Sequence, residues 1–114
     1  MFDYSRNMEH QSATTALSAL GHSTRLAVFR LLVQAGRSGR LAGDIATALD
    51  LPGATLSFHL KELASAGLIT GEQRGRTICY RADFDAMNAL VGYLTENCCA
   101  GDDGACPPSP GCAA

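Results

Sequence analysis

Apolar residues recur along the middle of this chain at helical spacing, then at strand spacing. Between Asp50 and Gly67, Leu56, Leu60 and Leu63 stand at i, i+4 and i+7 and share one face of a helix. At roughly 100° per residue, Ala54, Thr55, Ser57, Phe58, Lys61 and Ser65 fall largely away from that leucine seam. Just upstream, Leu41, Ile45, Ala48 and Leu49 mark a shorter helix over Leu41 to Leu49. Asp50-Leu51-Pro52-Gly53 separates the two. Proline is disfavoured inside a helix but tolerated in the first turn of the next. Two short helices across a tight turn form a helix-turn-helix unit, whose second helix enters a DNA major groove. A free face of hydroxyls, one cation and one aromatic suits that groove, where hydroxyls read base edges and apolar groups meet thymine methyls. An ordinary amphipathic surface helix has the same pattern, so the neighbouring segments decide.

Gly67 is placed to cap the helix. Leu68-Ile69 and Thr77 to Arg81 have strand character, with Arg74-Gly75-Arg76 at the tip of the ribbon they form. A ribbon with a basic tip after a helix-turn-helix is a wing, whose arginines meet phosphates or a minor groove. Further helices are predicted over His10–Leu20 and about Thr24–Gln34, the latter with Leu26, Phe29, Leu32 and Val33 as core. The glycines make 35–40 a loop. A last helix runs from Asp83, as its cap, to about Asn97, and Asp85 favours the positive end of its dipole. Its stripe of Phe84, Met87, Leu90, Val91 and Leu94 is broad for the edge of a small domain and reads as a dimer seam together with the first helix. A two-fold dimer sets two recognition helices about one DNA turn apart, roughly 34 Å. The expected fold is therefore mainly α with a β-hairpin wing: a dimeric winged helix-turn-helix over 10–99. A flexible N-terminus at 1–9 and a flexible Cys/Gly/Pro-rich tail at 100–114 flank it.

At 114 residues the chain is one domain with a small core. No stretch reaches the roughly 18 apolar residues of a membrane span, and Met1 to Arg6 lack the apolar centre of a signal peptide. A cytoplasmic location is expected. The net charge of −2 counts against nucleic acid as a partner. Its distribution softens that: from Phe58 to Arg81, Lys61, Arg74, Arg76 and Arg81 outnumber Glu62 and Glu72. Such a charge balance predicts double-stranded DNA binding that fades steeply with salt.

The blocks Ala19-Leu20-Gly21-His22-Ser23-Thr24-Arg25-Leu26, Thr55 to Leu63, Ala66-Gly67-Leu68-Ile69 and Gly75-Arg76 to Tyr80 together resemble the ArsR/SmtB family of metal-responsive bacterial repressors. The resemblance spans roughly Ala16 to Cys99. It implies a homodimer joined by its two terminal helices. From the helix face and the wing themselves, Thr55, Ser57, Phe58 and Lys61 are expected to face the groove of a palindromic operator, with Arg74 and Arg76 on the backbone. The chain departs from the family where many members carry an arginine just before the histidine; here stands Phe58.

Five cysteines carry the specific chemistry, four of them in the final seventeen residues. Clustered cysteines in a cytosolic protein more often bind metals or sense redox state than form structural disulfides. Soft thiolates select soft ions. A three-thiolate set without histidine suits trivalent arsenic, or antimony, which takes three sulfurs in a pyramid. In the resembled family one arsenic site lies around a Cys-Val-Cys in the first helix of the helix-turn-helix, where this chain has no cysteine. A Cys-Cys pair at the end of the last helix with a further cysteine looks like a separate arsenite-responsive branch. It points to Cys98, Cys99 and Cys106, with Cys112 or Cys79 as alternative third ligands. Closing the tail costs little more for a longer loop, about 0.6 kcal/mol per doubling.

Zinc is weaker. His10, His22 and His59 all lie outside the last helix and tail, so the family's histidine-carboxylate site on that helix is missing, which leaves a four-thiolate site. His59 reads as a hydrogen-bonded helix residue and His22 as part of a turn. The expected function is a repressor that releases its operator on binding arsenite, and the resemblance implies that the genes it controls are arsenic-resistance genes. A thiol redox or persulfide sensor on the same scaffold is the alternative. An enzyme is not expected: no cysteine sits at a helix N-terminus, where its thiolate would be stabilised. A winged helix that binds only protein is a further rival.

Overall fold

The structure is a computed structural model, and it describes residues 8–99. Its elements in order are α1 (His10–Leu20), α2 (Ser23–Ala35), a 3-10 turn (Gly36–Ser38), β1 (Arg40–Leu41), α3 (Ala42–Leu49), α4 (Gly53–Ser65), β2 (Ile69–Arg74), β3 (Thr77–Ala82) and α5 (Phe84–Thr95). This is a winged helix-turn-helix. The segments expected to be flexible, 1–7 of the N-terminus and the tail at 100–114, lie outside the described residues, and Cys106 and Cys112 with them. Met8 packs against the core and Glu9 is the N-cap residue of α1.

Local chemistry sets the boundaries. The His22 ring accepts the Thr24 N–H at 3.1 Å and starts α2. Asp50, in the left-handed region at φ 53°, ends α3, and Pro52 precedes the first residue of α4. Gly67 (φ 80°) turns the chain out of α4, and the Leu68 N–H reaches back to the Leu63 carbonyl at 3.1 Å, a glycine-dependent helix stop. The Asp83 carboxylate accepts the Ala86 N–H at 3.0 Å, capping α5 as its position predicts.

Every helix and the ribbon feed one core. Leu32, Val28, Ile45, Leu56, Leu63 and Leu68 are its most deeply buried side chains. The leucine seam of α4 is thus wholly consumed inside the chain. No helix among the described residues is long and apolar enough to cross a membrane.

Three details differ from the sequence reading. The 35–40 loop instead holds a 3-10 turn and the start of a third strand: β1 pairs with β3, Arg40 opposite Tyr80 and Leu41 opposite Cys79, giving the antiparallel order β1-β3-β2. Gly39 (φ 68°) makes this possible, because a Cβ there would collide with the Tyr80 carbonyl oxygen. Second, Leu26 is not core; it is 43% exposed, while Val28 is fully buried. Phe29 and Leu32 remain buried as expected, while Leu26 lines a groove of about 460 Å³ between α2 and α5 with Phe29, Val33, Met87 and Val91. Third, α5 stops at Thr95 rather than Asn97, since Glu96 already leaves the helical region (φ −57°, ψ 130°) and Asn97 follows in a left-handed conformation (φ 59°).

Candidate nucleic-acid interface and thiol site

The outward side of α4 carries Thr55, Ser57, Phe58 and Lys61, all exposed. Phe58 stands at its centre: Ala54, Thr55 and Lys61 lie at i−4, i−3 and i+3, its nearest neighbours on a helix surface. Ser57 is turned toward the flank. The opposite side is anchored by Leu56, Leu60 and Leu63, and by one polar residue, His59, which is 6% exposed.

His59 was read as a helix residue rather than a ligand, but the depth of its burial had no signal in the apolar spacing. Arg25 Nη1 lies 3.4 Å from its Nδ1, and its ring sits 4.8 Å from that of His22. Arg25 is itself held by the Ala19 carbonyl, which accepts from its Nε at 2.7 Å. Burial pushes the His59 pKa below the ordinary histidine value, and the neighbouring His22 and Arg25 charges push the same way against Glu62. The start of α2 and the recognition helix are thereby tied together by a neutral imidazole.

On the wing, a two-residue turn at Gly75 (φ 62°) and Arg76 joins the strands, with Arg74 paired to Thr77. Gln73 donates to the Gly75 carbonyl at 2.7 Å and Thr77 to the Arg74 carbonyl at 3.0 Å, so the tip is braced. The four cations of this region are not equivalent. Arg81 donates to Glu72 at 2.8 Å and to the Arg37 carbonyl at 2.8 Å, a structural role. The Arg81 hydrogen bond, helped by the Arg74 charge, holds the Glu72 carboxyl below its usual range. Arg74 is also drawn to Glu72, at a looser 3.4 Å. Arg76 and Lys61 have no ion pair among the described residues. The signal for the Glu72–Arg81 pair is in the register: Glu72 faces Cys79, which sets Arg81 on its diagonal.

Cys98 and Cys99 sit in a turn beyond α5. The Cys98 N–H donates to the Thr95 carbonyl at 2.9 Å, and Cys99 is left-handed at φ 61°. Their sulfurs are 3.5 Å apart. Among the described residues no group of three or more histidine, cysteine or carboxylate side chains is gathered for a metal ion. The pair thus brings two donors together, and Cys106 falls outside the described residues. Cys79, weighed as a third donor, is 3% exposed in β3 with its Sγ 3.5 Å from the Ser38 carbonyl, the place of a small buried hydrophobe. The thiol pair follows directly on exposed Val91 and Leu94 of α5, and Leu17 of α1 is exposed too. His10 Nδ1 and the Tyr93 hydroxyl, 2.9 Å apart, join α1 to α5.

A helix-turn-helix domain model matches residues 20–72. The chain is 37% identical over 93 residues to the HTH-type transcriptional repressor SmtB of Mycobacterium tuberculosis, a match that covers 81% of this chain. It spans 64% of that relative's length. An ArsR-like transcriptional regulator from Rhodococcus sp. RHA1 has a similar structure, with TM-score 0.68 and 28% identity, over 82% of this chain and 85% of that one. The homodimeric winged helix-turn-helix DNA-binding domain of a possible ArsR-family regulator from Mycobacterium bovis, solved by NMR, matches with TM-score 0.60 and 27% identity, over 82% and 86% of the two chains. These relatives are named as regulators, not as enzymes.

Proposed function

We propose that this chain is a member of the ArsR/SmtB family of transcriptional regulators and acts as a homodimeric repressor that releases its operator when trivalent arsenic binds cysteines at its C-terminal end. The observation that carries the reading is the outward side of α4, where Thr55, Ser57, Phe58 and Lys61 stand exposed on a helix whose other side is fixed in the core. That side enters the major groove of double-stranded DNA. Arg76, and Arg74 once it leaves Glu72, meet phosphates beside it. A second copy packs across α1 and α5, covering Leu17, Val91 and Leu94, and sets the two recognition helices about 34 Å apart on a palindromic site. The homodimeric relative from M. bovis supports that assembly.

For the effector, the thiol pair supports a soft, thiophilic ion. Cys106 supplies the third sulfur in this reading; Cys112 and Cys79 are the substitutes, and the burial of Cys79 argues against it. Antimonite has the same chemistry. Bound beside the dimer seam, the ion changes the relative placement of the two heads. Couplings of this type are worth about 1–3 kcal/mol, or 5- to 150-fold in operator affinity.

The test is fluorescence anisotropy on the gene's own upstream DNA, titrated with arsenite under reducing conditions, beside Cys98→Ser/Cys99→Ser. Arsenite is expected to release the wild type and leave the double variant bound. Release of both proteins alike would remove the thiol pair from the mechanism.

A second reading rests on the same pair, whose sulfurs lie 3.5 Å apart. In a redox-sensing repressor two thiols pass two electrons and two protons to an oxidant such as hydrogen peroxide and close a disulfide. Release by peroxide with indifference to arsenite distinguishes it.

A further inference from the structure

We propose that Phe58 reads the C5-methyl group of a pyrimidine, thymine in unmodified DNA, at one position of each operator half-site; this rests on the DNA-binding reading above. Phe58 is 55% exposed, and the other exposed large apolar residues lie on other elements, Leu17 on α1, Leu26 on α2, Leu41 on β1, and Val91 and Leu94 on α5. On α4 the ring is flanked by small and polar residues. Ala54 and Thr55 beside it are small, so nothing of equal height shields it, and Lys61 one turn on keeps its charge unpaired among the described residues.

The ring is also braced. It meets His59 edge to face, with centroids 5.4 Å apart and planes at 64°. His59 is in turn wedged between Arg25 and His22. A side chain held out from the helix in this way leaves most of its apolar area to a partner. Lys61 and the hydroxyls of Thr55 and Ser57 require that partner to be anionic and hydrogen-bonding everywhere else. A major groove meets both demands, because its floor is polar except where a thymine methyl protrudes. Phenylalanine has no donor for purine N7 or O6 and no acceptor for adenine or cytosine amines. The methyl group is what it can distinguish. Cytosine at that position lacks the methyl, and 5-methylcytosine restores it.

Duplexes enriched on the full-length protein from a random-sequence pool supply the probe. Single replacements of thymidine by deoxyuridine are then walked along a half-site, with affinity read by fluorescence anisotropy at fixed salt under reducing conditions. Loss of one methyl is expected to weaken binding about fourfold, and loss of the symmetric pair about 15-fold, the effect of burying one methyl per half-site. Phe58→Ala binds more weakly but equally to the thymidine and deoxyuridine duplexes, and its thermal melt matches the wild type because the ring is exposed. Tight binding with a flat scan overturns the methyl reading and leaves the repressor reading standing. A methyl effect that survives in Phe58→Ala assigns it to another side chain and also overturns the proposal. Failure to enrich any duplex overturns both readings.

Discussion

Two helices of nearly equal length, α4 and α5, both carry an apolar stripe, yet they treat it in opposite ways. In α4 the stripe is used up: Leu56, Leu60 and Leu63 are at most 2% exposed. In α5 it is wider than the chain can cover: Ala89 and Leu90 are buried, but Val91 is 54% and Leu94 58% exposed. The difference separates two tasks. A helix that is to present one face to DNA must have its other face fixed by its own fold. A helix that is to join two copies must keep apolar area in reserve.

The contrast breaks most visibly in stability. Leu63→Ala removes a fully buried side chain and is expected to cost about 2–5 kcal/mol, whereas Leu94→Ala costs the isolated protomer about 0.5 kcal/mol or less. Urea denaturation at low protein concentration, where dimerisation contributes least, compares the two. Next comes assembly. Val91→Asp with Leu94→Asp is expected to shift a dimer toward monomer by on the order of a hundredfold or more, given about 1.5–3 kcal/mol for each buried aliphatic side chain. Sedimentation velocity reads that shift, and an unchanged circular dichroism spectrum shows that the protomer is intact.

A smaller effect belongs to the wing. Arg76→Gln is expected to weaken binding by similar factors on all DNA sequences and to lower the salt slope of the dimer by about two, one for each protomer. The same change at Arg81 acts on wing stability instead, because Arg81 is held by Glu72 and Arg37. The smallest effect is a pH term confined to α4. His59 is neutral in the folded chain, with its pKa held below 6.5 by burial. The unfolded chain therefore takes up the proton first as pH falls, so the stability contribution is full above about pH 6.5 and declines below it. Denaturant midpoints at pH 7.5 and 5.5 measure the decline, and His59→Gln is expected to flatten it.

Much of this was legible in the residues because the signals are local. The leucine spacing of α4, the proline and left-handed turn before it, Gly67 after it and Asp83 at the start of α5 each act within one or two turns of helix. The side of α4 that carries Thr55, Phe58 and Lys61 follows from the same spacing. What was not legible depends on distant partners. β1 is two residues long, too short for alternation, and exists because β3 lies alongside it. Leu26 and Val28 are both aliphatic, and only the packing of α2 against the rest decides which turns inward. The burial of His59 requires Arg25 and His22, 34 and 37 positions away in sequence. The charge count over 58–81 does not separate Arg81 from the other cations; only the hairpin register, which places Glu72 beside it, does. At the C-terminal end the sequence indicates thiols but not their arrangement, and Cys106 lies outside the described residues.

The small strand β1 has a mechanical meaning. It is stitched to the wing through β3 on one side, and α3 begins at the very next residue. Gly39 leaves no clearance for a side chain at the seam. Wing and helix-turn-helix are thus clamped into one stiff lever. In the proposed repressor, an effector bound near Cys98 and Cys99 is expected to turn that lever as a whole, so that the two levers of a dimer lose register with the DNA together.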